Sequence, residues 1–154
     1  MNKALFDRIQ QRLKQKEIKY TAREGIISLN MEIDNVVGKL SFFIDVREND
    51  YITYAVMGNK AAPENITAIA EYLHRANYGL VYGNFEIDHE DGEIRYKLVT
   101  DCEDASNISN RLIDRCIVVP CMMFEIYGNG MIKLMLGVGE PEKLIDEAEA
   151  NIEG

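Results

Sequence analysis

Three stretches of alternating apolar and polar residues, separated by very short turns, limit this chain's fold more than any other feature. Ile27, Leu29, Met31 and Ile33 alternate with Ser28, Asn30 and Glu32. After a turn at Asp34-Asn35, Leu40, Phe42, Ile44 and Val46 alternate with Lys39, Ser41, Asp45 and Arg47, with Phe43 the one apolar residue on that outer face. A second turn at Glu48-Asn49-Asp50 leads to Tyr51–Met57, with Ile52, Tyr54 and Val56 on one side. A period of two residues marks strands with two unlike faces. Connections this short join only antiparallel neighbours, so the three strands read as a meander.

A second β signal is NYGLVYGNFEIDHEDGEIRYK, residues 77–97. Val81, Gly83, Phe85 and Ile87 read as one face of a strand, and Ile94, Tyr96 and Leu98 as one face of the next. Asp91-Gly92 is a strong turn signal between them. A two-residue turn sets Glu86 opposite Lys97 and Asp88 opposite Arg95; a four-residue loop sets Glu86 opposite Arg95. Either register puts Phe85, Ile87, Ile94 and Tyr96 on one face and opposite charges on the other. Gly83 marks a bulge or a close approach of backbone.

Helical spacing surrounds these strands. Leu5, Phe6, Ile9 and Leu13 predict a helix over 3–17 with Asn2 as N-cap. Pro63 suits the first turn of a second helix, with Ile66, Ile69, Ala70, Leu73 and Ala76 as its buried stripe and Gly79 as its stop. Ile108, Leu112, Cys116 and Val119 predict a third from Ser106 on, capped by Asp104 or Ser106, with Pro120 as an interruption. Residues 121–136 fit two structures. Gly128-Asn129-Gly130 between apolar runs looks like a hairpin turn. Met123, Tyr127, Met131, Leu134 and Val138 also form a helical stripe, at a cost of about 1 kcal/mol per glycine. Pro141 opens a short acidic helix through Ala150.

These 154 residues suit a single domain, 1–154, with a substantial core, and 47% hydrophobic with 28% charged residues is a globular composition. No apolar run approaches a membrane span, and the charged start, Met1 to Arg8, is unlike a signal peptide. The expectation is a cytoplasmic protein without a membrane partner. A net charge of −9 repels phosphate backbones, so nucleic acid is not an expected partner. The one basic cluster, Arg12-Leu13-Lys14-Gln15-Lys16, reads as a solvated helix face.

No catalytic motif stands out. The cysteines, Cys102, Cys116 and Cys121, are odd in number and irregular in spacing, which excludes a disulfide framework. Cys116 and Cys121 read as buried apolar residues. His74 and His89 do not sit at metal-ligand spacing. Gly137-Val138-Gly139 lacks the rest of a phosphate cradle. Asp88, Glu90 and Asp91, with His89, cluster at the hairpin tip without the spacing of a calcium loop, and a wet tip would not tune them as acid or base. Asn65-Ile66-Thr67 and Asn107-Ile108-Ser109 match the glycosylation pattern, to which a cytoplasmic protein is not exposed. Met122, Met123, Met131 and Met135 cluster and read as a core layer. The reading is therefore a non-enzyme with no catalytic residue, no metal and no cofactor. Tyr82, Phe43 and Tyr51 are the candidates for an apolar association patch on the open side of the sheet.

The order helix, three-strand meander, helix, hairpin, helix brings a resemblance into view. Glu71-Tyr72-Leu73-His74-Arg75-Ala76-Asn77, Leu80, Gly83-Asn84-Phe85-Glu86-Ile87-Asp88 and Asp91-Gly92-Glu93-Ile94-Arg95-Tyr96 resemble the YbjN-like family of bacterial proteins. The specific part covers about a third of the chain. The resemblance implies an α+β fold with an antiparallel sheet of about five strands, order α-β-β-β-α-β-β-α(-α), similar to the type III secretion chaperones. It implies that 121–136 continue the third helix, from which Gly128-Asn129-Gly130 departs. It implies no catalytic residue. The expected function is a protein-binding or regulatory role in a homodimer. The alternatives are a secretion-type chaperone holding an extended client segment, and a small-molecule sensor or enzyme with a pocket between sheet and helices.

Overall fold

The computed structural model describes residues 1–105, 107–150 and 152. Its elements are α1 (Lys3–Gln15), β1 (Tyr20–Arg23), β2 (Ile26–Glu32), β3 (Lys39–Val46), β4 (Asp50–Lys60), a 3-10 turn (Pro63–Asn65), α2 (Ile66–Tyr78), β5 (Asn84–Ile87), β6 (Glu93–Asp101), α3 (Asn110–Met135) and α4 (Pro141–Ala150). The strands form one antiparallel sheet in the order β1-β2-β3-β4-β6-β5.

The expected α+β architecture holds, with six strands instead of about five. The extra strand, β1, pairs Tyr20 with Leu29 and Arg23 with Ile26. It was hidden because Tyr-Thr-Ala-Arg has no alternating pattern, and an edge strand exposed along most of its length needs none. The first helix ends at Gln15, two residues early, and Glu17 takes a left-handed φ of 57°. Asn2 caps it as expected, its Oδ1 accepting from Leu5 N at 3.1 Å.

One face of the sheet carries the core. Ile27, Leu29, Leu40, Phe42, Ile44, Tyr51, Ala55, Phe85, Ile94 and Tyr96 are buried there beneath the helices. On β4 the buried side is Tyr51, Thr53, Ala55 and Met57, not Ile52, Tyr54 and Val56. Register explains the choice: Phe42 faces Ala55 and Val46 faces Tyr51, so large residues lie opposite complementary ones on the core side. In the hairpin, Glu86 lies opposite Arg95 and Ile87 opposite Ile94, the longer-loop register. The first hairpin strand is shorter than expected: Val81 is exposed outside β5. Gly83 is a close approach: φ is +72°, and a Cβ there would lie 2.7 Å from Tyr96 Cε1.

The ambiguous segment is helical. α3 runs through Pro120 and the glycines and buries Ile113, Cys116, Ile117, Phe124, Tyr127, Met131 and Leu134. Its N-cap is Ser109, whose Oγ accepts from Leu112 N at 3.1 Å, in place of Asp104; Ser106 lies outside the described residues. A mid-helix proline costs about 3 kcal/mol. Each large side chain fully buried returns about 1.5–3 kcal/mol, so the stripe outweighs the break. By length and composition α3 could cross a membrane, contrary to the sequence expectation, which counted uninterrupted apolar runs. In the fold, 44% of its most apolar window is buried.

The two α3 glycines are notches. A Cβ on Gly130 would lie 2.5 Å from Tyr72 Cζ, and one on Gly128 2.5 Å from Val37 Cγ2. Tyr72 OH donates to the Tyr127 carbonyl at 2.9 Å, and Asn35 Nδ2 to the Phe124 carbonyl at 2.9 Å. The helix thus receives a tyrosine from α2 and the β2–β3 loop where it has no side chain. Gly130→Ala gains about 1 kcal/mol of helix propensity but drives a methyl into a buried, hydrogen-bonded ring. Overpacking of this kind costs about 1–3 kcal/mol. Urea unfolding is expected to show net destabilisation for Gly130→Ala and a smaller change for Gly128→Ala, where a loop valine can give way.

Candidate partner surface

Among the described residues, no helix lies on the second face of the sheet. Ile26, Phe43, Ile52, Tyr54, Val56 and Val99 stand on it, opposite the buried set. The register makes most of them neighbours. Phe43 lies beside Tyr54 and Ile52 beside Val99, while the Asp45 carboxylate separates Ile26 from Ile52 and sets Ile26 apart from the cluster. Phe43 is 42% exposed at the centre. Charges border the cluster: the Arg95 guanidinium lies 4.6 Å from the Tyr54 ring centroid and donates to Glu86 at 2.8 Å, and Lys97 reaches the same carboxylate. Burial works to raise the Glu86 pKa, but the bonds from Lys97 and Arg95 outweigh it and lower it.

Of the three sequence candidates, Phe43 alone lies on this face. Tyr51 is in the core, fully buried, with its OH donating to the Leu112 carbonyl at 3.1 Å. Tyr82 is half-exposed in the loop before β5. Its ring lies beneath the Arg115 guanidinium of α3 at 4.4 Å, and its carbonyl accepts from Tyr96 OH. It therefore belongs to the helical side, and Phe43 and Tyr82 share no patch. Sequence spacing missed Ile52, Tyr54 and Val56 because the buried side of β4 is chosen by its neighbours.

The two sheet edges differ. Phe85 of β5 has both outer backbone groups taken by one side chain: its N–H donates to Asn77 Oδ1 at 2.7 Å and its carbonyl accepts from Asn77 Nδ2 at 2.9 Å. The amide imitates a neighbouring strand and closes that edge. β1 forms the opposite edge, exposed along most of its length. Beside it, on the open face, is a shallow concavity of about 390 Å³ bordered by Lys19, Tyr20, Ser28, Asn30, Ser41 and Phe43.

The hairpin-tip carboxylates work within their turn. Asp88 Oδ1 accepts from Glu90 N at 2.8 Å, Asp91 Oδ1 accepts from Glu93 N at 2.9 Å, and Asp91 pairs with Lys60. The Asp91 pKa is lowered, chiefly by the Lys60 bond. Among the described residues no three His, Cys, Asp or Glu side chains gather closely enough to hold a metal. The strongest perturbations are on groups that burial keeps neutral. Cys116 is pushed up to about 12, Cys121 to about 11 with Glu125 adding to the effect, and Tyr127 to about 12. Cys116 is buried as expected, while Cys121 is only half-buried.

No protein-family model matches the chain, and no curated protein matches its sequence. Among solved structures, the crystal structure of YbjN from E. coli, described provisionally as a transcription regulator, matches with a TM-score of 0.53 at 12% identity. The match covers 79% of this chain and 92% of that one. The chain has a YbjN-like fold.

Two outcomes are expected here. Asn77→Ala strands the Phe85 N–H and leaves its carbonyl only the 3.3 Å bond from Asn84 Nδ2, so it should lower stability by about 1–3 kcal/mol in urea unfolding. The thiols, held protonated by burial, should resist alkylation near pH 8 in the folded protein and react fully in denaturant, as read by mass spectrometry.

Proposed function

We propose that this chain is a non-enzymatic regulatory domain that works by binding protein through the open face of its sheet. The observation that carries the reading is the contiguous apolar cluster around Phe43 on a face no helix covers. Contiguous exposed apolar surface with a polar border marks association sites. The structural neighbour's description favours regulation. At −9, a grip on DNA phosphates is electrostatically unfavourable, so regulation would pass through protein contact. The three thiols are free, which suits a cytoplasmic setting.

A homodimer is the simplest use of such a face, since two apolar sheet faces pack isologously at about 10 Å. A second reading, a chaperone-like hold on an extended client, is favoured by one feature. The β1 edge is exposed beside the concavity at Phe43, whereas Asn77 closes the β5 edge. A client strand added at β1 would place its side chains against that concavity.

Phe43→Ser with Val99→Ser tests the surface. Both side chains are exposed, so stability should change by less than about 1 kcal/mol. Self-association, measured by sedimentation, or binding of a partner captured by crosslinking should weaken at least about tenfold, a loss of about 1.4 kcal/mol. Unchanged association in the folded double variant would reject the open face as the contact.

A further inference from the structure

We propose that the cleft between α1 and α3 is a second docking surface, separate from the sheet face, which takes an acidic peptide segment of a partner protein by one apolar anchor side chain. The cleft holds about 170 Å³ and is floored by Leu13, Ile18, Met31, Ile113, Ile117 and Val118. A dry cavity of about 150 Å³ accepts benzene, so the space suits one leucine or phenylalanine side chain. It opens to solvent at Val118, which is 51% exposed, and Met122, 46% exposed, continues the apolar surface one helical turn further.

The rim is basic. Arg8, Arg12 and Lys16 recur every fourth residue and so form a stripe along α1. Two of them reach α3 by good hydrogen bonds. Arg8 donates to Asn110 Oδ1, and Arg12 donates through Nε and Nη2 to the two Asp114 oxygens at 2.7 and 2.6 Å. This two-pronged contact ties α1 to α3, so the cleft exists before anything binds. Lys16 makes a longer ion pair with the same carboxylate, at 3.9 Å, with its side chain half-exposed, so two cations share one anion at the rim.

The stripe belongs to a segregated charge pattern. The first 23 residues carry seven Lys and Arg against two acidic residues, in a chain whose net charge is −9. A basic island on an acidic molecule steers acidic partners and disfavours basic ones. An apolar floor inside a basic rim matches an acidic peptide with an apolar anchor; nucleic acid would use the rim and leave the floor wet. The chain's own acidic helix, α4, is already packed on α2 and α3, which argues against a second copy supplying the segment.

A random-peptide display library selected on the full-length folded chain, with the Val118→Asp variant as counter-selection, tests this. Enriched peptides should carry net negative charge around a leucine, isoleucine or phenylalanine. By fluorescence anisotropy, a labelled winner should bind at least about tenfold more weakly to Val118→Asp and to Arg8→Glu/Lys16→Glu. It should also weaken as salt rises from about 0.05 M to about 0.5 M. Val118→Asp leaves Arg12 and Asp114 unchanged, whereas the double variant also removes the Arg8–Asn110 bond and the Lys16–Asp114 ion pair, so circular dichroism and urea unfolding should confirm that both variants fold. Phe43→Ser should leave this affinity within about twofold, so failure here and failure of the sheet-face reading are separable. Absence of enrichment, neutral or basic winners, or winners indifferent to the cleft variants would overturn the proposal. So would tighter binding of a labelled DNA duplex through the same residues, or a homodimer dissolved by Val118→Asp.

Discussion

The close approach of α3 to Tyr72 and to the β2–β3 loop organises the helical layer. A helix cannot admit a tyrosine ring and a loop unless its side chains are missing where they arrive, and Gly128 and Gly130 supply those gaps. The hydrogen bonds from Tyr72 and Asn35 to carbonyls of α3 then make each contact directional as well as close. Around this point Phe85 meets Tyr96, Phe124 and Tyr127 edge-to-face at 4.9–5.8 Å, joining sheet and helix in one aromatic cluster. Such pairs add about 0.5–1.5 kcal/mol each beyond their buried area.

Placing all four helices on one side has a consequence for the other. A six-stranded sheet has two faces, and the described residues cover only one. The uncovered face still carries apolar residues because β-branched and aromatic side chains suit strands wherever they point. Their contiguity, bordered by the Glu86–Arg95–Lys97 group, turns a general preference into a surface. The edges are treated unequally as well: one is closed by an asparagine amide, the other left exposed. The basic stripe of α1 lies elsewhere, in the helical layer, so the molecule offers two surfaces of different chemistry.

Much of the fold was legible from local pattern. The meander, the hairpin, α2 and α4 follow from alternation, helical spacing and Pro or Gly signals that act over a few residues. The misses share a cause. β1 has no amphipathic signal because it is an edge. The buried side of β4 was unreadable because Tyr51 and Tyr54 are equally good strand residues, and only pairing with Phe42 and Val46 chooses between them. Of the candidate surface, Phe43 was visible as the lone outward aromatic of an alternating strand; Tyr82 misled because a tyrosine near a hairpin looks the same whether it faces sheet or helix.

The amino-acid sequence alone determined the type of most elements, the antiparallel pairing within the meander and within the hairpin, and the charge bias, since these depend on periodicity, turn chemistry and composition. Tertiary structure decided whether Gly128-Asn129-Gly130 turns or continues a helix, which face of β4 is core, and that Arg12 and Lys16, with Asp114, border an apolar cleft. Each of those outcomes depends on what a distant segment places against the residue, such as Tyr72, Val37 or Asp114. Local spacing carries no record of that contact.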